Sequence, residues 1–375
     1  MILHINDRLR NRRISYFDSV NVTLRYDSVA STFQLAYYFD PNNSEHKEFS
    51  CVSHFHECTL EDDGEIVITG YILTINFKDD NTRSLVNITG YSRPGFLEDC
   101  SMPLLELSSL QSDKLSLKQI TSKILAPFKI GLVIHSRVAS LMDEEFDQSD
   151  AKIQQNVRTY LSDLASQKDI NLTHDEYGNL VFTRAVHSKP IYNFERSLPV
   201  TGMELNFNGQ GMHSRITVLG QADVDEEAQA AQSTPISYDV EQLFKKTAKP
   251  PGFIAPPVSN PYVPFVFRPK IITQSSGKES DTLKAANNAI AQELRGLQLT
   301  VSLDRWKLNG KIVRPGRIVS ILNPYIYIYK KTDFFIESVD LKENTAGQTA
   351  TLHLCVPESF TSEAPNYIFK GINLH

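Results

Sequence analysis

The sequence predicts a mainly β protein with a small α+β unit and an inserted loop-and-helix segment. Short β-branched and aromatic runs, separated by Asp, Asn and Gly turns, fill residues 1–97 and return after Leu297. Between them, residues 98–188 hold two apolar stripes at helical spacing followed by two short strands. The second β region is interrupted by roughly 223–279, which opens acidic and Ala/Gln-rich (DVDEEAQAAQ) and turns proline-rich (KPPGFIAPPVSNPYVPF). Proline has no N–H for a ladder, so this stretch is expected to be an extended surface excursion rather than core.

In the first region the strands are VNVTLRY, STFQLAYYF, EIVITGYILTINF and SLVNITGY. Val67, Thr69, Tyr71, Leu73, Ile75 and Phe77 alternate against Ile66, Ile68, Gly70 and Ile72, so the early part of this strand is apolar on both faces. Such a strand has both faces covered, as in a barrel whose outer side meets another domain or subunit. KDDNTR reads as a hairpin tip. The Gly-Tyr pairs at 70–71 and 90–91 read as places where a glycine lets backbones approach or the strand bend, and a tyrosine covers neighbouring surface. SRPGFLEDCS then leads out of the region, with Pro94-Gly95 making the turn.

Residues 98–188 open with Ser116 and Gln119, spaced as a capping box ahead of Ile120, Ile124 and Leu125, with Pro127 closing the helix. A second helix carries Ile153, Val157, Tyr160, Leu161, Leu164 and Ala165 on one stripe. INLTHDEYGNLVFTRA predicts two strands about a turn at 175–179. Residues 189–222 return to strand patterning, best in SRITVLGQ, and the glycines of NFNGQGM mark a turn between strands. A third helix is expected after Ser280 as cap, with Leu283, Ala286, Ile290 and Leu294 on one face and Gly296 at its end. Leu297, Leu299, Val301 and Leu303 alternate, followed by RIVSIL, YIYIY, DFFIESVDL and TATLHLCV. No tandem repeat at solenoid or propeller period is visible.

Composition bounds the function. The 375 residues give room for two to four domains. A formal charge of −6 opposes a general nucleic-acid binder, which needs a basic surface. No apolar run approaches the ~20 residues of a membrane span. MILHINDRLRNRR places four arginines where a signal peptide has its apolar core, so a secretory leader is not expected. The Asn-x-Ser/Thr tripeptides at Asn21, Asn42, Asn87 and Asn171 then read as chance. Cys51, Cys58, Cys100 and Cys355 are few and irregularly spaced, which fits reduced thiols and synthesis in a cytoplasm.

Five stretches invite a chemical reading. In CVSHFHEC, residues 51–58, a strand would put His54, His56 and Cys58 on one face, as a zinc site needs, with Cys51 pointing away. No second ligand group stands at recognisable spacing, and the reading preferred is a solvated surface without metal. Cys100 follows Glu98 and Asp99, which disfavour the thiolate a nucleophile requires. Met142-Asp143-Glu144-Glu145 clusters its carboxylates on one stretch, where they cannot face each other across a sugar, so it reads as solvated loop. Tyr325, Tyr327 and Tyr329 of YIYIY would share one strand face opposite Ile326 and Ile328, either as a carbohydrate platform or, preferred, as a strand covered by neighbours. NFNGQGM has no helix pattern behind it to offer a phosphate. No Gly-x-Ser-x-Gly, His-Glu-x-x-His or phosphate-loop motif occurs. No catalytic, cofactor-binding or metal-binding residue is therefore assigned.

The order of motifs resembles the baseplate hub proteins of contractile-tailed phages, the phage Mu and late control protein D group. These are relatives of the T-even phage hub and of the N-terminal part of type VI secretion spike proteins. The resemblance is carried by LHINDRLRNRRISYFDSVNVTLRYDSVASTFQLAYY and GEIVITGYILTINFKDDNTRSLVNITGYSRPGFLEDCS at the start. In the middle it is carried by LAPFKIGLVI, EYGNLVFTRA and SRITVLGQ. At the end come LKAANNAIAQELRGLQLTVSLDRWKLNGKIVRPGRIVSI and TDFFIESVDLKENTAGQTATLHLCVPESF. No single motif is diagnostic; the order over nearly the whole chain is the signal.

The resemblance implies two β-barrel domains, one at 1–97 and a discontinuous one from 189–222 and 297–360. It also implies an α+β domain at 98–188, an insertion at 223–296 and a tail at 361–375. It implies a homotrimer whose ring adapts the hexameric tail tube to the trimeric central spike, with tape measure protein and DNA passing through the lumen and other baseplate proteins around it. The expected role is structural and non-enzymatic, without cofactor, metal or specific nucleic-acid binding, in the virion tail baseplate after assembly in the host bacterial cytoplasm. A tailocin or type VI-like injection particle, a glycan-binding tail-tip module using Tyr325–Tyr329, and a hydrolase built on His54, His56 and nearby acids are the alternatives. The 223–279 stretch matches no element of that family.

Overall fold

The computed structural model describes residues 1–7, 10–80, 82–103, 114–146, 155–220, 253–254, 257–274, 279–361 and 366–369. Strand outweighs helix, 45% to 21%, so the protein is mainly β with α+β character. In chain order the first strands are β1 (Ile2–Asp7), β2 (Arg10–Ile14), β3 (Ser19–Arg25), β4 (Thr32–Tyr38), β5 (Glu57–Asp62), β6 (Glu65–Asp79) and β7 (Ser84–Ser92). Next come β8 (Leu132–Ile134), β9 (Asn171–His174), β10 (Leu180–Thr183), β11 (Asn193–Phe194), β12 (Val200–Phe207), β13 (Arg215–Gly220), β14 (Phe253–Ile254), β15 (Val258–Ser259) and β16 (Pro269–Gln274). The last are β17 (Leu297–Leu303), β18 (Lys307–Leu308), β19 (Lys311–Ile312), β20 (Ile318–Asn323), β21 (Ile328–Asn344) and β22 (Gly347–Cys355).

Two compact units divide the chain. One comprises Met1–Glu204, Thr300–Leu322 and Asp333–Leu354; the other comprises Leu205–Leu299, Asn323–Thr332 and Cys355–His375. Strands from the start and the end of the chain share one sheet.

That sheet runs β12-β17-β22-β21-β3-β4-β7-β6-β5-β1-β2. Among the described residues this order is open, from β12 to β2. Its middle is an antiparallel ladder pairing Ser19–Arg25 with Ser338–Asn344, flanked by the β3/β4 and β4/β7 ladders. Alternation along β3, β4 and β7 buries Val20, Val22, Leu24, Phe33, Leu35, Val86 and Ile88, as a sheet with one face on the core requires. Trp306 is fully buried, and its Nε1–H donates to the carbonyls of Lys342 (3.0 Å) and Thr349 (2.9 Å). The polar end of the ring is thereby satisfied where water is excluded.

The Gly-Tyr pairs are cross-strand neighbours. Tyr71 opposes Tyr91, and Ile72 opposes Gly90. A Cβ on Gly70 would overlap the Tyr91 carbonyl, and one on Gly90 would overlap the Tyr71 carbonyl and the Phe33 ring. Each glycine thus admits the opposite backbone, while both tyrosine rings pack on Phe96. As the alternation indicates, β6 is buried on both faces over Val67–Gly70 and becomes exposed beyond Leu73. At the hairpin tip Asp80 accepts from the backbone of Thr82 and Arg83, a side-chain-stabilised turn.

The α+β region follows its sequence signals. Ser116 and Gln119 form the capping box of the helix Leu117–Leu125. Asn156 caps Val157–Gln167, which buries Val157, Tyr160, Leu161, Leu164 and Ala165; Ile153 lies outside the described residues. Both helices pack with the sheet β8-β10-β9 around Leu180 and Phe182. The acidic stretch after Leu141 is not all loop: Ala139–Asp143 is helical and Met142 is wholly buried, one apolar residue among acids being enough to anchor a turn. His174, at the end of β9, donates from Nδ1 to the Ser28 carbonyl at 3.1 Å, and burial draws its pKa down to about 4.

In the second unit β13 pairs antiparallel with β14 and β15 and parallel with β16. The excursion is therefore not wholly surface. Its described part supplies strands to SRITVLGQ and buries Asn260 and Tyr262, with Pro269 opening β16 where a missing donor is tolerated. DVDEEAQAAQ lies outside the described residues. The third helix runs Glu279–Glu293, so Ser280 is inside it rather than its cap. Ala286, Ile290 and Leu294 are buried as expected, but Leu283 is exposed. Gly296 ends a 3₁₀ turn, and a Cβ there would press on the Asn208 carbonyl. Its role is close approach to Asn208, whose N–H donates to the Gly296 carbonyl at 2.8 Å, not a left-handed cap.

Gly70→Ala is expected to destabilise the protein by about 1–3 kcal/mol through overpacking. Gly202→Ala, where the nearest atom to the new Cβ is 4.0 Å away, should stay within about 0.5 kcal/mol; urea denaturation of both compares them. A neutral buried His174 stabilises the fold fully above the unfolded value near pH 6.5. That contribution is lost as pH falls towards its folded value of about 4. The imidazole resonance of His174 should therefore remain that of the neutral ring at pH 5, and the loss of thermal stability between pH 7 and 4 should be shallower in His174→Gln.

Candidate interaction surface

The stretch with the most metal-like sequence does not adopt the strand that would align its ligand types. Ser53 and Phe55 take left-handed backbone conformations (φ 70° and 45°), and β5 begins only at Glu57. His54, His56 and Cys58 therefore do not share a strand face. The His54 and His56 rings meet edge-on at 5.1 Å, and Cys51 lies 3.4 Å from His54 Nε2 rather than pointing away. Cys58 is buried in the core, where desolvation and then Glu57 push its thiol up. Among the described residues no group of three or more His, Cys, Asp or Glu side chains is placed to hold a metal.

Cys100 follows the short helix Phe96–Asp99, and burial followed by the Asp99 charge raises its pKa. That is the opposite of nucleophile activation. Asp143 pairs with Lys118 and Glu144 with Lys168. All four cysteines are free.

YIYIY is not a strand either. Asn323 accepts from the Tyr325 N–H, Pro324–Ile326 forms a 3₁₀ turn, and Tyr327 is left-handed (φ 69°) before β21 begins at Ile328. The Asn-Pro pair explains this, since it initiates turns and withholds a ladder donor. Tyr325 is 80% exposed. Tyr327 and Tyr329 meet edge-on at 73°, so they offer no flat platform for a sugar ring.

What remains is surface able to bury against other proteins. In the first unit β6 loses its β5 partner beyond Tyr71, and among the described residues Thr74–Asp79 are paired with β7 alone. This free edge carries exposed Phe77, stacked edge-on against Phe39 at 5.3 Å. In the second unit the turn before β16 exposes Phe265 (91%), Val266 and Phe267 (75%), and β16 adds exposed Ile271. Sequence reasoning missed Phe265–Phe267. Prolines at 261, 264 and 269 mark the stretch as extended, but only the structure shows its aromatic residues facing outward. Nearby in the same unit, Tyr262, Tyr327, Tyr367 and Phe369 form an aromatic cluster. Paired nucleophile and base, or opposed carboxylates, are not found among these groups. Strand edges and exposed aromatics are interface chemistry.

No family model matches the chain, and no curated protein matches it. Solved structures do. The 43 kDa tail protein of prophage MuSo2 from Shewanella oneidensis is 19% identical, with 96% of this chain and 98% of that one covered at a TM-score of 0.75. The tail protein from Neisseria meningitidis MC58 is 18% identical, with 96% and 98% covered at 0.73. A type VI secretion component of E. coli, itself similar to the T4 bacteriophage tail proteins gp27 and gp5, is 9% identical, with 98% and 80% covered at 0.54. At these identities the likeness establishes the fold.

Thiol labelling checks the cysteine assignments. With native protein at pH 8, Ellman's reagent should react first with Cys51 and more slowly with Cys100. Cys58 and Cys355 should react only after denaturation. Rapid labelling of Cys58 in the folded state would contradict the arrangement.

Proposed function

We propose, from a fold shared end to end with prophage tail proteins, that this chain is a structural baseplate hub of a contractile phage tail. Three copies would form a ring that adapts the hexameric tail tube to a trimeric central spike. Tape measure protein and DNA would pass through its lumen, and other baseplate proteins would surround it. The observation that carries the reading is the two-way coverage. Nearly all of this chain and nearly all of each prophage tail protein superpose, so the likeness belongs to the whole protein rather than to one common module.

Physical features support it. The free β6 edge and the outward aromatics of Phe265–Phe267 need covering, and a ring of identical subunits covers edges and faces of that kind. A channel that conducts DNA should not hold it, and a chain of charge −6 suits that requirement. The division into barrels at 1–97 and at 189–222 with 297–360, around an α+β domain at 98–188, belongs to this proposal. So does a structural role without catalysis, in the tail of a virion assembled in a bacterial host. A hub of a tailocin or type VI-like particle is the second reading, favoured by the likeness to the E. coli type VI component.

Light scattering on the full chain should give three times the 42.4 kDa subunit mass, alone or with its spike partner. A protein that stays monomeric at every concentration and with the spike present would sink the trimeric reading. A spike gene downstream and a tape measure gene upstream would favour a phage over the second reading.

A further inference from the structure

One cleft of the first unit, about 310 Å³ in volume, gathers five arginines from four separated stretches of chain: Arg25, Arg137, Arg184, Arg314 and Arg317. Two of them are neutralised. Arg25 lies 3.5 Å from Asp27, and Arg184 lies 3.0 Å from Asp169. Among the described residues, Arg137, Arg314 and Arg317 have no carboxylate within ion-pair distance. The half-buried Arg314 instead donates to the carbonyls of Ile66 and Val67, which fix the guanidinium without cancelling its charge.

Two acids share the cleft. Asp175 is already engaged: its oxygens accept from the Tyr177 and Asn179 N–H groups and from Asn179 Nδ2. Those hydrogen bonds orient the Asp175 carboxylate without cancelling its charge, so with Glu176 two carboxylates stand against three guanidiniums that lack a carboxylate partner, an excess of one positive charge. His174 is neutral and adds none. His135 accepts the Arg137 N–H at Nδ1 (3.4 Å), which puts the proton of the neutral ring on Nε2 as a further donor. Leu24, Val67 and Ile68 supply apolar wall. In a chain of net charge −6 this concentration is local, not one part of a generally basic surface.

We propose that this cleft binds a small molecule bearing an oxyanion of the phosphate class. Guanidinium forks match phosphate geometry and remain charged at every physiological pH. Three guanidiniums without a carboxylate partner match the three terminal oxygens of a phosphate monoester better than the two of a carboxylate. The volume lies at the lower end of ligand pockets, so it suits a small phosphate ester rather than a length of nucleic acid. The assignment is independent of the tail-hub reading, since it rests on one unit of one subunit.

Calorimetric titration and thermal-shift measurements on the full chain test it, using phenyl phosphate and, at matched ionic strength, benzoate. These probes share a ring and differ in the number of oxygens they offer to the guanidiniums. Phenyl phosphate should bind saturably at one site per chain and raise the melting temperature, while benzoate should bind at least tenfold more weakly. The double variant Arg137→Gln/Arg317→Gln changes two exposed side chains, and should fold normally and lose at least tenfold in phenyl phosphate affinity. Lys118→Gln, an exposed lysine outside the cleft, should match the unaltered protein. Absence of saturable binding, equal binding of benzoate, or undiminished binding by the double variant would each overturn the proposal.

Discussion

The ladder between β3 and β21 is the constraint on which the first unit depends. It joins residues 19–25 to residues 338–344, so the middle of the large sheet is built from opposite ends of the sequence. Around it lie other long-range ties: Thr23 to Asp340 at 2.6 Å, Lys307 to Asp62 and Asp63, and Arg314 to the β6 carbonyls. Each closes a loop of more than 240 residues. Closure entropy rises only slowly with loop length, so the equilibrium cost is moderate. The kinetic consequence is larger, because non-local pairing slows folding and leaves strand edges open until the last strands exist.

The same topology explains what was legible in the sequence. Period-two and period-3.6 patterns report local burial, and they located the β6–β7 hairpin, the Ser116 capping box and the Val157–Ala165 stripe. They carry no information about which strand pairs with which. SRITVLGQ was visible as a strand, yet its partners come from the proline-rich excursion, where the prolines argue against pairing. One proline at the first residue of β16 costs the ladder nothing, so a count of prolines misjudges the segment.

The site-like motifs were less legible for a related reason. At 51–58 and at 325–329 a strand was assumed, and side chains were placed on shared faces accordingly. Left-handed residues at Ser53, Phe55 and Tyr327 break the alternation, and only the Asn323-Pro324 pair announces one of these breaks in advance. Electrostatics fared better. Glu98 and Asp99 beside Cys100 indicate a poor thiolate from sequence alone, and the half-buried, acid-flanked geometry agrees. The arginine cleft lay beyond sequence reasoning, since its members are scattered from residue 25 to residue 317 and meet only in the fold.

The free edge of β6 bears on solubility as well as on assembly. A strand edge open on one side and carrying Leu, Ile and Phe is a template for indiscriminate pairing between chains. The distal end of this strand reads Phe77, Lys78, Asp79, Asp80, so its apolar residues give way to three consecutive charged ones. Charges in that position act as gatekeepers: they penalise stacking of like strands in register while leaving the apolar part available to a complementary surface. The tip of the hairpin thereby limits pairing of the β6 edge with the same edge of another copy.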